Sequence, residues 1–175
     1  DKIEEWVKKW KDEPLLTTKL IQWILPSSDA KPGNCYMNYK KHKPEKGFPG
    51  RLITAACGSF VENLSKLTAV ELKNRSKLLP HVLQDTNHLL MKLDEINISE
   101  QLKDKSIIHV SWDVVSMFPN IPKDLGLEEC RRELDLREDG LPTQCVIEAK
   151  EIVLDYNIAQ FNGTWYQQQL GTAMG

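Results

Sequence analysis

The segment from Ser106 to Trp112 constrains the possible folds of this chain more than any other segment does. It is rich in β-branched residues and nearly continuous in apolar character. Strands that are buried on both faces of a sheet have this character. The segment runs into Asp113, and a carboxylate at the end of a buried strand is costly unless it is paired, solvated or bound to metal. The pattern therefore predicts a central strand with Asp113 at its end, although a lone Asp there can simply cap the next turn.

Composition sets the class of protein. The chain has 175 residues, of which 41% are hydrophobic and 27% are charged, as in an ordinary globular domain. No apolar run reaches the roughly 20 residues of a membrane span, and the acidic N-terminus does not resemble a signal peptide. The four cysteines show no metal-binding spacing, which favours free thiols in an intracellular protein. With a net charge of −2, any nucleic-acid binding needs a local basic patch.

The order of predicted elements indicates an α+β fold. Periodicity predicts helical pieces within 3–25, helices near 123–136 and 143–157, and hairpins around residues 34–57 and 158–167, the second turning at Asn162-Gly163. Ser59 and Glu62 form a capping-box pattern before one more helix, and Asp85 or Thr86 begins another. The residues expected on apolar helix faces are Ile3, Trp6, Val7 and Trp10; Leu16, Leu20, Trp23 and Ile24; Val61, Leu64, Leu67 and Val70; Leu89, Leu90, Leu93 and Ile96.

A basic patch lies in the first hairpin. Its five cations stand against one acid, Glu45, and they are Lys40, Lys41, Lys43, Lys46 and Arg51. Such a stretch is usually a solvated loop, but a hairpin could fold it over phosphate groups. Arg51 is the best single candidate, because a guanidinium grips phosphate oxygens with two hydrogen bonds.

Several motifs together resemble a known family. The residues from Asp113 to Phe118 resemble the first catalytic motif of reverse transcriptases, and with Asn120-Ile121-Pro122 they look like the FDVxSLYTNIP stretch of Penelope-like retroelement enzymes. The same order and rough spacing hold for further matches, which are Lys41-His42-Lys43-Pro44 with Arg51-Leu52-Ile53, Asp85-Thr86-Asn87, Phe161 to Tyr166, and Gln169 to Gly175. Residues 1–30 match no motif of that family. Leu52, Trp112, Phe118 and Pro119 depart from its usual residues.

The resemblance implies roles for individual residues. Asp113 and the backbone carbonyl of Val114 would ligate Mg²⁺, and Phe118 would lie beneath the sugar of the nucleotide, unless it is simply a core residue. The other implied nucleotide contacts are Arg51, Lys43, Gln169 and Gly171. The implied nucleic-acid contacts are Lys40, Lys41, Lys46 and Gly175, although glycines near a chain end can also be merely flexible.

The same resemblance implies an architecture and an activity. We expect an N-terminal helical arm at 1–30, a fingers subdomain at 31–105 built on the first hairpin, and part of a palm subdomain at 106–175. The complete enzyme would add dNTPs to a DNA primer on an RNA template by two-metal transfer. The family's other catalytic aspartates lie in an xxDD motif beyond Gly175. We therefore expect no primer extension by the 175-residue chain alone.

Two other functions remain open. One is a non-catalytic module, derived from a reverse transcriptase, that binds RNA or a protein through the basic hairpin. The other is an α+β domain with no affinity for nucleic acid. For the reverse transcriptase we expect an intracellular, nuclear location, no membrane association, and self-association through exposed palm edges.

Overall fold

The chain is an α+β protein of seven helices and one four-stranded sheet in its described part. A computed structural model describes residues 2–41, 45, 47, 49–97, 105–106 and 108–172. The helices are α1 (Lys2–Trp10), α2 (Thr18–Ile24), α3 (Glu62–Ser76), α4 (Thr86–Asn97), α5 (Met117–Asn120), α6 (Lys123–Asp135) and α7 (Thr143–Asp155). The strands are β1 (Gly33–Tyr39), β2 (Gly50–Ala55), β3 (Ile158–Phe161) and β4 (Thr164–Gln167).

Helix α7 lies at the centre of the helical core. It packs against α1, α3 and α6, and α2 packs against α3. Six of its residues are buried, and they are Cys145, Val146, Ile147, Ala149, Ile152 and Leu154. Apolar positions on nearly all sides of one helix require neighbours on nearly all sides, so α7 takes the centre. The helices predicted near 123–136 and 143–157 are confirmed as α6 and α7.

The N-terminal helices belong to this core. Ile3 and Trp6 are buried, and the indole Nε1 of Trp6 donates to the carbonyl oxygen of Cys145 at 3.0 Å. The predicted inward face of α1 is therefore confirmed. In the second piece Leu16 and Ile24 are buried as expected, but Trp23 is 43% exposed, so its predicted place on the apolar face is wrong.

The start of α3 differs from the predicted capping box. Val61, and not Ser59, precedes the first helical residue, and the Ser59 hydroxyl is buried without a hydrogen-bond partner in the described part of the chain. The Glu62 carboxylate instead accepts the backbone N–H of Gly58 at 2.5 Å. Val61, Leu64 and Leu67 are buried as predicted, whereas Val70 is 58% exposed.

Helix α4 forms where it was predicted, but it buries none of its residues. Asp85 caps it, because the carboxylate accepts the backbone N–H of His88 at 2.8 Å. The predicted apolar residues lie on the surface: Leu89, Leu90 and Ile96 are exposed and Leu93 is half-buried. The pattern predicted an apolar face correctly, yet no described element covers it.

Both predicted hairpins are confirmed, and they join into one sheet with the order β2-β1-β3-β4. Asn162 and Gly163 have the positive φ angles expected of the second turn. Strands β1 and β3 pair in parallel through Gly33 with Ala159 and Asn34 with Gln160. A Cβ on Gly33 would lie 2.3 Å from the carbonyl oxygen of Ala55, so only glycine allows the three strands to meet there. The hairpins assigned to fingers and palm thus share a sheet, and the boundaries at 31–105 and 106–175 stay predictions.

The strand predicted from Ser106 to Trp112 is wrong. No strand forms among its described residues, which exclude Ile107, and Ile108 and Trp112 are 85% and 89% exposed. A β-branched run becomes a strand only when another strand offers hydrogen-bond partners on its edge. The segment pairs with none of the four strands, so its sequence preference is not realised.

None of the helices in the described part of the chain has the length and apolar character that crossing a bilayer requires.

Candidate functional site

One large cleft gathers several of the residues predicted for function. It encloses about 1420 Å³ between the sheet and the segment that carries Asp113. The predicted site residues that line it are Lys40, Arg51, Asp113, Val114, Phe118 and Gln169. These residues come from the first hairpin, from α5 and the segment before it, and from the loop after β4. The fold therefore brings together groups that are widely separated in sequence.

One face of the sheet forms the floor of this cleft. Paired residues on neighbouring strands point to the same face, and successive residues alternate between faces. The strand pairs Cys35 with Thr54 and Ala159 with Tyr166 place these four side chains on one face, and all four line the cleft. Leu52 and Phe161 lie on the same face and line it as well. We call this surface the inner face of the sheet.

A tight turn places Phe118 in the cleft. Ser116 has a φ of 51°, in the left-handed region, and the side-chain amide of Asn120 donates to its carbonyl oxygen at 3.0 Å. The turn begins the short helix α5, which carries Phe118. Phe118 is 38% exposed and lines the cleft, so its ring is not part of the buried core. Asp113, three residues before the turn, is exposed on the same side.

Gly171 holds the loop after β4 against this turn. Its φ is +73°, and a Cβ there would lie 2.4 Å from the carbonyl oxygen of Phe118 and 2.6 Å from Pro119. The next residue, Thr172, donates its backbone N–H to the same Phe118 carbonyl at 2.9 Å. The family resemblance implied a nucleotide contact at Gly171. The structure shows a close approach to the Phe118–Pro119 backbone instead.

Gln168 and Lys123, which the sequence analysis did not single out, anchor that loop. The side chain of Gln168 accepts from the amide of Asn157 at 2.6 Å and donates to the carbonyl of Leu170 at 2.7 Å. The ammonium of Lys123 donates to the carbonyls of Leu154 and Gln168 at 3.3 and 3.4 Å. No sequence motif marks either residue, and each donates to a backbone carbonyl, a contact that leaves no sequence pattern. Gln169, the predicted contact, is exposed at the cleft.

The cations of the first hairpin lie at the rim of the cleft. Lys40 and Arg51 line it, and Lys41 is exposed beside them. Arg51 pairs with Asn38 on β1, so strand alternation turns its Cβ away from the inner face that Leu52 shares. It therefore lies where the two faces of the sheet meet at the rim. Lys43, Lys46 and Gly175 lie outside the described residues.

The donors in the cleft do not make a complete two-metal site. Among the described residues that line it, Asp113 is the one carboxylate, against the two cations Lys40 and Arg51. In the described part of the chain no three His, Cys, Asp or Glu side chains converge as metal ligands. Mg²⁺ prefers carboxylate and phosphate oxygens in near-octahedral geometry. Asp113 and the Val114 carbonyl fit part of that set only, and no catalytic step through a metal follows from these residues.

The cysteines are free thiols, as predicted. Burial raises the pKa of Cys145 to about 12 and also raises the pKa of Cys130, so both stay protonated at neutral pH. Burial lowers the pKa of Lys150 on α7. These groups lie in or beside the helical core. None of them lines the cleft, where Cys35 is the cysteine present.

Comparison of the chain with protein-family models, with curated proteins and with solved structures finds no match. The family resemblance thus rests on the motifs themselves, and the fold that the structure establishes is α+β with a four-stranded mixed sheet.

Proposed function

We propose that this chain is the nucleotide-holding and template-holding part of an RNA-directed DNA polymerase of the Penelope-like type. The observation that supports the proposal best is the shared cleft. Asp113 and Phe118 from one motif of the resembled family, Arg51 from a second and Gln169 from a third line one cavity. A chance likeness of short motifs gives no reason for them to meet in space.

Each part of the cleft suits one part of a nucleoside triphosphate. The cations at the rim, Lys40 and Arg51, attract the phosphates, since guanidinium and ammonium groups form charge-assisted hydrogen bonds to phosphate oxygens. The ring of Phe118 offers a flat apolar surface to the sugar. The apolar inner face of the sheet excludes water from around the bases.

Nucleotidyl transfer requires two divalent ions that clamp the attacking and leaving oxygens. Asp113 would supply one carboxylate for such ions, and further carboxylates would have to complete the set. In the resembled family they belong to the xxDD motif. In this chain Asp113 and the Val114 carbonyl would hold a magnesium ion that arrives with the triphosphate.

The proposal is tested by titrating the chain with dATP in the presence of Mg²⁺ and measuring the heat of binding. Arg51→Ala should weaken binding about tenfold, the loss expected for one charge-assisted contact. Asp113→Asn should remove most of the Mg²⁺ dependence. Arg132→Ala, which removes an exposed arginine on α6, is the matched control and should leave the affinity unchanged. Absence of dATP binding, or equal effects of Arg51→Ala and Arg132→Ala, would contradict the proposal.

A non-catalytic RNA-binding module is the second candidate, and the single carboxylate in the described cleft favours it. This function predicts RNA binding that weakens with salt but is indifferent to Mg²⁺ and to Asp113→Ala. Primer extension separates the expectations further. We expect none from the 175-residue chain alone, and robust extension by it would show that this expectation is wrong.

A further inference from the structure

The face of the sheet opposite the cleft, which we call the outer face, exposes aromatic and amide side chains of the kind that bind single-stranded RNA. We propose that it binds single-stranded RNA by stacking bases on Tyr36 and Trp165. This site is separate from the proposed polymerase function, because it uses neither Asp113 nor a divalent ion. It would therefore survive if the proposed function proved wrong.

Strand register places both aromatic residues on this face. Trp165 pairs with Gln160, and Gln160 pairs with Asn34 across the parallel ladder. Tyr36 is two residues beyond Asn34 on β1, so it points to the same side. With strands about 4.8 Å apart, Trp165 and Tyr36 are separated by roughly 10–12 Å, far enough for each to stack on a different base. Tyr36 is 51% exposed and Trp165 is 54% exposed.

The charge of the sheet favours a polyanion as the occupant. The chain carries 25 acidic residues, yet none of them falls within the four strands. The nearest ionised groups on the first hairpin are the cations Lys40, Lys41 and Arg51. A surface without carboxylates beside a basic patch has a favourable potential for phosphates.

Amide side chains flank Tyr36 on this face. Asn34 and Asn38 are exposed on the outer face, and within the described residues their side chains form no hydrogen bond. Each amide can both donate to and accept from a base edge or a 2′-hydroxyl. Stacking aromatic residues combined with such groups on a sheet are the recognised means of holding unstacked RNA bases. The 2′-hydroxyl contacts favour RNA over DNA.

The test is fluorescence anisotropy of the full 175-residue chain with a labelled, unstructured RNA of about 10 nucleotides, a length within the usual site size. Trp165→Leu and Tyr36→Leu should each weaken binding about tenfold, which lies in the lower half of the range for loss of one stacked base. Trp23→Leu is the matched control. Trp23 is also exposed but lies on α2, away from the sheet, and its replacement should leave affinity within about twofold.

Three further measurements make the result decisive. Far-UV circular dichroism must show that each variant keeps its fold, and Tyr36→Phe, which keeps the ring, should restore binding. DNA of the same sequence should bind several-fold more weakly than RNA. The proposal is overturned if Trp165→Leu acts no more strongly than Trp23→Leu, or if DNA binds as tightly as RNA. Loss of RNA binding only with Lys40→Ala would move the site to the rim of the cleft and overturn it as well.

Discussion

At the scale of single residues, the chemistry-bearing side chains were easier to predict than the residues that hold them. Asp113 and Phe118 belong to one recognisable sequence motif, and both line the cleft. Gln168 and Lys123 hold the neighbouring loop through backbone carbonyls, and side chains that bind carbonyls leave no periodic or compositional trace. Gly171 belongs to a recognisable sequence motif, but only the three-dimensional structure shows which backbone segment it approaches.

Gly171→Ala should destabilise the chain more than the same change at Gly58. Both glycines have nearly the same positive φ, +73° and +72°, so both substitutions incur the strain of about 1–2 kcal/mol of a left-handed L-residue. At Gly171 the new Cβ would also lie 2.4 Å from the Phe118 carbonyl oxygen, whereas at Gly58 no atom lies within 4 Å. Urea denaturation should show an additional loss at Gly171. Equal losses would mean that the loop moves away without cost.

At the scale of elements, the helices and hairpins form where local sequence patterns predicted them. The wrong prediction concerns a segment whose structure depends on a partner strand. The helices α6 and α7 and both hairpins were predictable because periodicity and turn residues are local signals. The segment from Ser106 to Trp112 has the composition of a strand, but pairing is a property of two segments and cannot be read from one. The parallel pairing of β1 with β3 was not predicted for the same reason.

The ion pair between Glu71 and Arg137 ties α3 to the connection between α6 and α7. The side chains are 15% and 11% exposed, and the Glu71 carboxylate also accepts the backbone N–H of Leu141 at 3.2 Å. Arg137→Met should cost about 3 kcal/mol, because it leaves a largely buried carboxylate without its cation. The control is Arg132→Met, which breaks an exposed pair with Glu129 and should cost less than about 1 kcal/mol. Guanidinium denaturation of both variants measures the two losses of stability.

The contact of α1 with α7 should weaken in acid. Burial alone would raise the pKa of Glu148, but hydrogen bonds from Lys9, Gln144 and Trp10 outweigh it and hold the pKa below the ordinary 4.5. A depressed folded-state pKa stabilises the protein above the unfolded value and stops doing so as pH falls through the folded one. The stability advantage over Glu148→Gln should therefore be full above about pH 5 and shrink below pH 4.5.

Thermal unfolding of both proteins across this pH range measures that advantage. Gln22→Ala, at an exposed position on α2 that carries no titratable group, supplies the control, and its difference from the unmodified chain should change little with pH. An advantage of Glu148 that stays constant down to pH 3 would contradict the assigned cause.

At the scale of the whole molecule, apolar surface remains uncovered on the cleft side. Ile108, Trp112 and Val115 are each more than four-fifths exposed, and no strand of the sheet pairs with the described part of their segment. Exposed apolar patches of this kind mark contact surfaces. The expectation of self-association from the sequence stays a prediction, now with a definite location in the segment before α5.

Sedimentation velocity at rising concentration should show a dimer, and the combined substitution of Ile108→Ser with Trp112→Ser should weaken dimerisation more than tenfold. Each large apolar side chain removed from an interface costs about 1.5–3 kcal/mol. Leu136→Ser, which removes an exposed leucine at the end of α6, should have little effect. A chain that stays monomeric at all concentrations would contradict this prediction.

The parallel contact of β1 with β3 has a consequence for the order in which the chain folds. Each hairpin closes over a short stretch of sequence, so each can form early and independently. The ladder through Gly33 and Asn34 joins segments that are far apart in sequence. Bringing such segments together costs loop-closure entropy before the new contacts stabilise the fold. During synthesis the sheet can be completed only after β3 has left the ribosome. The two halves of the cleft floor therefore meet late, and the cavity is among the last features of the molecule to form.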